Sequence, residues 1–305
     1  MKRSLPVLIA LGLLFSTLGW SADYEEGLEA LLKKDYVTAL REFKLLAEEG
    51  HVVAQFKLGL MYYYGKGVPQ NDKTAVKWYR LAAKQGHATA QYNLALMYRN
   101  GEGVPKNDKL AVKWYRLAAE QGHAVAQFKL GLMYYYGKGV PQNDKTAVKW
   151  YRLTAEQGHV IAQLKLGMLY YNGEGVPQND KTAVKWFRLA AEQGDVETQY
   201  GLGLMYRKGK GVPKNDKTAV KWWKLAAEQG SAKAQHNLAF MYRNGEGVPQ
   251  NDIYAYMWFN IAVSQGFKIA GGERELVAKS MSPSQIEKAQ ELASECVKKQ
   301  FKGCD

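Results

Sequence analysis

The chain has 305 residues and a formal net charge of +13, with 47% hydrophobic residues and two cysteines. That apolar share excludes a disordered polar chain, and the cysteine count excludes a small disulfide-framed scaffold. The basic balance points to acidic partners or an anionic surface.

The first segment, MKRSLPVLIALGLLFSTLGWSADYEE, places Lys2 and Arg3 ahead of an uncharged apolar run from Leu5 to Trp20. Small residues follow, with Gly19 and Ser21 at −3 and −1 of a cut after Ser21. This is the pattern of a cleaved secretory signal peptide over residues 1–22, because the apolar run is shorter than the roughly 20 residues a spanning helix needs. The expected location is therefore periplasmic or secreted, which argues against nucleic acid as a partner and against stable membrane insertion after cleavage. In an oxidising compartment Cys296 and Cys304 are candidates for a local disulfide; two free thiols is the other reading.

Residues 23–50 form an atypical first unit. Thr38-Ala39 and the ending LLAEEG match Thr74-Ala75 and LAAKQG one period later, but a Gly-rich connector is missing. Residues 51–86, HVVAQFKLGLMYYYGKGVPQNDKTAVKWYRLAAKQG, then recur without insertion or deletion at 87–122, 123–158, 159–194, 195–230 and 231–266. A fixed period in this range marks an array of one supersecondary unit. In the first copy, Val52 to Tyr64 reads as helix A. Gly65 suits the left-handed residue that ends it, Val68-Pro69 is extended, and Asn71 or Asp72 caps helix B over Lys73–Lys84. Ala75, Trp78, Tyr79, Ala82 and Ala83 fall on one face of helix B. Small residues such as Ala54 and Gly59 allow close approach, with Trp78 and Tyr62 expected to fill the gaps. Residues 267–305 read as C-terminal capping helices, including one over Gln285–Lys299 with Pro283 in its first turn.

Across the six copies, Gln55, Leu58, Tyr62, Gly65, Gly67, Pro69, Ala75, Trp78 and Gly86 are invariant at their equivalents. This pattern resembles the Sel-one-like repeat, a relative of the tetratricopeptide repeat. The resemblance implies an all-α fold, a right-handed α/α superhelical solenoid of helix-turn-helix repeats used as a non-catalytic protein-binding adaptor in bacterial envelopes. The per-repeat disulfide of the family's cysteine-rich members is missing, so nothing ascribed to that subgroup is carried over.

The copies differ mainly at the equivalents of 53, 56, 57, 60, 63 and 64, which lie on one face of helix A. Residues 54, 55, 58, 59, 61 and 62 lie on the opposite face. The variable stripe holds Phe56, Tyr92, Phe128, Leu164, Tyr200 and His236; Lys57, Asn93, Lys129, Lys165, Gly201 and Asn237; Tyr63, Arg99, Tyr135, Tyr171, Arg207 and Arg243; and Tyr64, Asn100, Tyr136, Asn172, Lys208 and Asn244. By the resemblance, helix A lines a concave groove. Its aromatic and basic character predicts an extended acidic polypeptide as ligand, bound by a chain expected to be monomeric.

Catalytic motifs are missing. Gly65-Lys66-Gly67 lacks the strand and third glycine of a dinucleotide loop. The sequence has no Ser-x-x-Lys, nucleophile elbow or His-Glu-x-x-His. His51, His87, His123 and His159 share one repeat position, too far apart for one metal, and read as surface imidazoles. No cofactor is expected. Two alternatives stand beside the adaptor: an exported enzyme acting on peptidoglycan, and a secreted virulence protein that binds a host factor.

Overall fold

A computed structural model describes residues 24–304, and the signal-peptide segment lies outside the described residues. Among those residues the chain is entirely helical. Helix α1 covers 24–32 and pairs with α2 (Tyr36–Glu48) as an N-terminal hairpin. Six helix pairs follow: α3 (Val52–Tyr64) and α4 (Asp72–Lys84); α5 (Ala88–Asn100) and α6 (Asp108–Glu120); α7 (Ala124–Tyr136) and α8 (Asp144–Glu156); α9 (Val160–Asn172) and α10 (Asp180–Glu192); α11 (Val196–Lys208) and α12 (Asp216–Ala227); α13 (Ala232–Asn244) and α14 (Asp252–Ser264). Helices α15 (Ile269–Ala278) and α16 (Pro283–Lys298) end the chain. Two compact units result, one up to Trp150 and one from Tyr151. Within each, the pairs pack in sequence order.

The helix ends follow from local chemistry. Each A helix ends on the first glycine of its connector, with Gly65, Gly101, Gly137, Gly173, Gly209 and Gly245 all left-handed. Asn71 caps α4 through its side-chain oxygen, which accepts from Thr74 N–H at 3.0 Å. Its own N–H donates to the Tyr62 carbonyl at 2.9 Å and closes the connector into a loop. Helix α16 starts at Pro283, two residues before the expected Gln285. Ser282 and Gln285 form a capping box, and Pro283 occupies the first turn.

The second connector glycine is fixed by its neighbour. Gly103 has φ +66°, and a Cβ there would stand closer than 3.0 Å to the backbone of Asp72 and Lys73, at the start of the preceding B helix. Gly67 meets Tyr36 in the same way, and Gly211 meets Asp180. The connector of one repeat therefore sits directly on a helix N-terminus of the repeat before it.

A buried glutamine relay sets the same register at the other end of the helices. Gln91 donates to the Ala83 carbonyl at 3.1 Å and accepts from Gln121 at 2.8 Å. Gln55 does the same with Ala47 and Gln85, Gln199 with Ala191 and Gln229, and Gln235 with Ala227 and Gln265. The carbonyl reached lies in the last turn of the preceding B helix, one of the acceptors that a helix end leaves unmade.

Apolar packing fills the space between these polar ties. Clusters join the B helix of one repeat to the A helix of the next, as with Ala75, Tyr79, Ala82, Ala90 and Leu94. Gly59 faces the Tyr79 ring, and a Cβ there would lie 2.6 Å from it, so Tyr79 rather than Trp78 or Tyr62 fills that gap. The final cluster is the largest and gathers Trp258, Phe259, Ile261, Ala289 and Ala293. Cys296 and Cys304 are bridged with Cα atoms 5.2 Å apart. The bridge closes a turn in which Gln300 and Phe301 adopt positive φ.

Replacing Gly103 by Ala adds backbone overlap to left-handed strain, and should cost about 3 kcal/mol or more. Gly122 has φ +86° but open space around it, so Gly122→Ala should cost only about 1 kcal/mol. Urea or thermal melts of the two variants will measure the difference.

Candidate functional site

The stripe predicted on helix A does not form one uniform surface. Positions 54, 55, 58, 59 and 61 of α3 are buried, whereas 53, 56, 57, 60 and 63 are partly exposed and 64 is open. Tyr64 and Tyr136 are 62% and 56% exposed. Each is packed edge-on by the preceding tyrosine, with ring centroids 5.0 Å apart for Tyr63–Tyr64 and 4.9 Å for Tyr135–Tyr136. Lys57, Lys129 and Lys165 are partly exposed along the same face.

Position 56 is committed to the neighbouring repeat. Phe56 stacks on His87 at 4.6 Å and Tyr92 on His123 at 4.9 Å. His236 packs between Phe259 and Phe267. Phe128 is only 8% exposed, which corrects its assignment to an open binding surface. An aromatic ring at this position finds the next repeat's A-helix start within reach, and burial there outweighs exposure to solvent. Tyr200 carries Lys233 over its ring at 5.8 Å and is likewise turned toward the next repeat.

Position 63 is tied to the next connector. Tyr63 donates to Glu102 at 3.2 Å, Lys210 lies 3.6 Å from the centre of the Tyr171 ring, and Arg207 pairs with Glu246 and with Asp216. Arg243 pairs with Glu273 of α15. The middle connector residue therefore belongs to the site where it is Glu102, Lys210 or Glu246. Sequence reasoning missed it. The signal was its strict Lys/Glu alternation, set beside Tyr or Arg at position 63. Burial, and then the neighbouring Glu102, raise the Tyr63 pKa. The pKa of Lys210, which donates toward Tyr171, is raised above the ordinary lysine value, with the nearby Asp180 adding to this.

The repeat-start histidines have a structural role that surface imidazoles would not have. Nδ1 of His51, His87, His123 and His159 accepts from the backbone N–H three residues on, at 3.1 to 3.2 Å, and so caps each A helix. Asp195 and Ser231 do this in the last two repeats. No group of three or more His, Cys, Asp or Glu among the described residues could hold a metal ion, and no described helix is long and apolar enough to cross a membrane.

The geometry is thus an array of near-identical A helices whose inner face holds register and whose outer face varies. Sel1 repeat models match at 52–87, 88–123, 124–159, 160–195, 196–231 and 232–267. The chain belongs to the Sel1 repeat family. A Sel1 repeat protein from Oxalobacter formigenes is 36% identical with a TM-score of 0.68, over 79% of this chain and 99% of that one. The protein c5321, a protective antigen present in uropathogenic Escherichia coli strains and displaying the same repeat fold, is 31% identical with a TM-score of 0.56, over 93% of this chain and 70% of that one. A search of curated proteins found no match. Sel1 repeat proteins generally act as non-catalytic scaffolds for protein interactions.

Burial lowers the pKa of His87 and His123 below the ordinary imidazole value, and Lys57 adds to this at His87. Protonation would remove the Nδ1 acceptor and place a positive charge at a helix N-terminus. Because the folded pKa lies below the unfolded value of about 6.5, their contribution is complete above that pH and falls as the pH drops through it. The melting temperature should therefore decline between about pH 7.5 and pH 5. The double variant His87→Ser, His123→Ser, which copies the cap at Ser231, should show a shallower decline.

Proposed function

We propose that this protein is an exported, non-catalytic adaptor that binds an extended acidic polypeptide along the outer face of its A helices. The observation that carries this reading is the division of helix A. Residues that hold the array are shared by all copies, whereas exposed aromatic and cationic side chains at 57 and 64 differ from copy to copy. Tyrosine supplies a large, rigid contact area at little entropic cost, and lysine supplies charge complementary to an acidic segment.

Export is supported by the basic and apolar pattern of residues 2–20, and by the pairing of Cys296 with Cys304, which suits an oxidising compartment. The relative described as a protective antigen is in keeping with a location outside the cytoplasm. The ties at positions 56 and 63 narrow the contact set. Tyr64 and Tyr136 are the open members, Lys57, Lys129 and Lys165 are partly exposed beside them, and Tyr63, Arg207 and Arg243 act with their connector or capping partners.

Photo-crosslinking in the producing cell tests the reading. A benzophenone amino acid in place of Tyr64 or Tyr136 should trap one discrete protein through an acidic segment. The same group in place of Lys77, which is exposed on α4, should not. Equal trapping from both faces would contradict it. Tyr64→Ala with Tyr136→Ala should reduce capture by tenfold or more, each lost aromatic anchor being worth about 1 to 2 kcal/mol, with the melting temperature unchanged.

A further inference from the structure

Two clefts lie at equivalent places three repeats apart, and they differ in kind. The first, between α3 and α5, has a volume of about 210 Å³ and is lined by Tyr79, Asn93 and Glu102 among others. The second, between α9 and α11, has a volume of about 480 Å³. At the three corresponding positions it is lined by Phe187, Gly201 and Lys210. In the first cleft Tyr79 and Asn93 both line the wall; burial raises the pKa of the Tyr79 hydroxyl, and the Asn93 side chain opposes this larger effect by favouring the ionised form. Phe187 has no hydroxyl and Gly201 has no side chain, so the polar plug is gone. What remains is an apolar chamber walled by Leu164, Met168, Leu204 and Met205.

Gly201 serves no packing purpose. A Cβ there would meet nothing within 4 Å, whereas Gly167 of α9 and Gly203 of α11 face the rings of Phe187 and Trp223. Glycine in mid-helix is destabilising relative to alanine, so empty space at Gly201 is kept against local helix stability. Met168 is 43% exposed beside it, a large apolar side chain at a mouth that nothing covers. The rim is charged. Lys208 is exposed and Lys210 lies over Tyr171, both on the connector side, while Glu197 stands at the other end.

We propose that this chamber is an anchor pocket for one bulky aliphatic or aromatic side chain of the bound polypeptide, followed by a carboxylate that meets Lys208 and Lys210. The proposal rests on the reading that the A-helix face binds an acidic segment, and it names where that segment is gripped. The apolar walls suit an aliphatic or aromatic side chain, the volume of about 480 Å³ leaves room for it together with adjoining parts of the peptide, and the lysines match the acidic flank.

The test uses the full chain and three fluorescent peptides: an acidic one with a central Leu, the same with Ala in its place, and one with the Leu flanked by Ser instead of acids. Methyl-labelled methionine provides a second readout at Met168 and Met205. The expected result is that the acidic Leu peptide binds about tenfold tighter than its Ala counterpart and that it alone shifts both methionine signals. The variant F187Y/G201N, which installs the pair that Tyr79 and Asn93 already form, should melt at or above the wild-type temperature and lose that preference.

Equal binding of the acidic Leu and Ala peptides to the wild type would overturn the pocket and leave the acidic-segment reading standing. Equal binding of the Leu peptide in Ser and acidic flanks would overturn the carboxylate half of the proposal and the acidic reading with it. Binding of none would overturn both. Methionine shifts with laurate but with no peptide would overturn the polypeptide occupant in favour of a small amphiphile.

Discussion

Close approach of backbone to backbone at the connectors is the constraint on which the repeats depend. Within each unit the second glycine of the Gly-x-Gly turn rests on a helix N-terminus of the repeat before it, at Gly67 on Tyr36, Gly103 on Asp72, Gly139 on Asp108, Gly211 on Asp180 and Gly247 on Asp216. Only a residue without Cβ and with free access to positive φ fits there. That seat fixes one end of each hairpin, and the glutamine relay fixes the other. Both are polar-backbone contacts with defined geometry, so they specify register in a way that an interface of Ala, Leu and aromatic side chains would not. A relay residue left unpaired would strand a buried carbonyl and a buried amide, at roughly 1–3 kcal/mol each.

Once register is held there, the outer face of helix A is released from structural duty. This explains why near-identical repeats can diverge along one stripe. The release is incomplete, and the exceptions are physical. A ring at position 56 reaches the capping histidine of the next repeat, and a tyrosine or arginine at 63 reaches the next connector. The arginine-side ion pairs are about one-quarter to one-third exposed, so they are worth at most about 1 kcal/mol each. They are better understood as positioning the arginines than as holding the array. The difference between the Tyr79–Asn93 and Phe187–Gly201 clefts shows how two substitutions at register-neutral positions change a local surface without disturbing the hairpins.

Much of the fold was legible in the sequence because each signal was local or periodic. Helix α3 runs over Val52–Tyr64 as expected, since the left-handed Gly65 ends it, and Asn71 caps α4. The buried face of α4 contains Ala75, Trp78, Tyr79, Ala82 and Ala83. What could not be read were contacts between repeats. The stacking of Phe56 on His87 spans 31 positions and the bond from Tyr63 to Glu102 spans 39. Neither spacing is a helical period. Variation between copies at position 56 places Phe128 on the binding stripe, yet it is buried. Gly201 was visible as one residue of the variable stripe, but its meaning needed the empty space around it.

Register and recognition occupy different sides of the same helix. An alanine scan of α11, with melting temperature and affinity for the acidic Leu peptide measured on every variant, tests this most directly. Gln199 and Leu202 should lower the melting temperature by several degrees. Lys208 should weaken binding with the melting temperature unchanged, and Arg207 and Leu204, the latter packed against the core, should affect both. A scan in which losses of stability and of affinity fall on the same residues throughout would contradict the account.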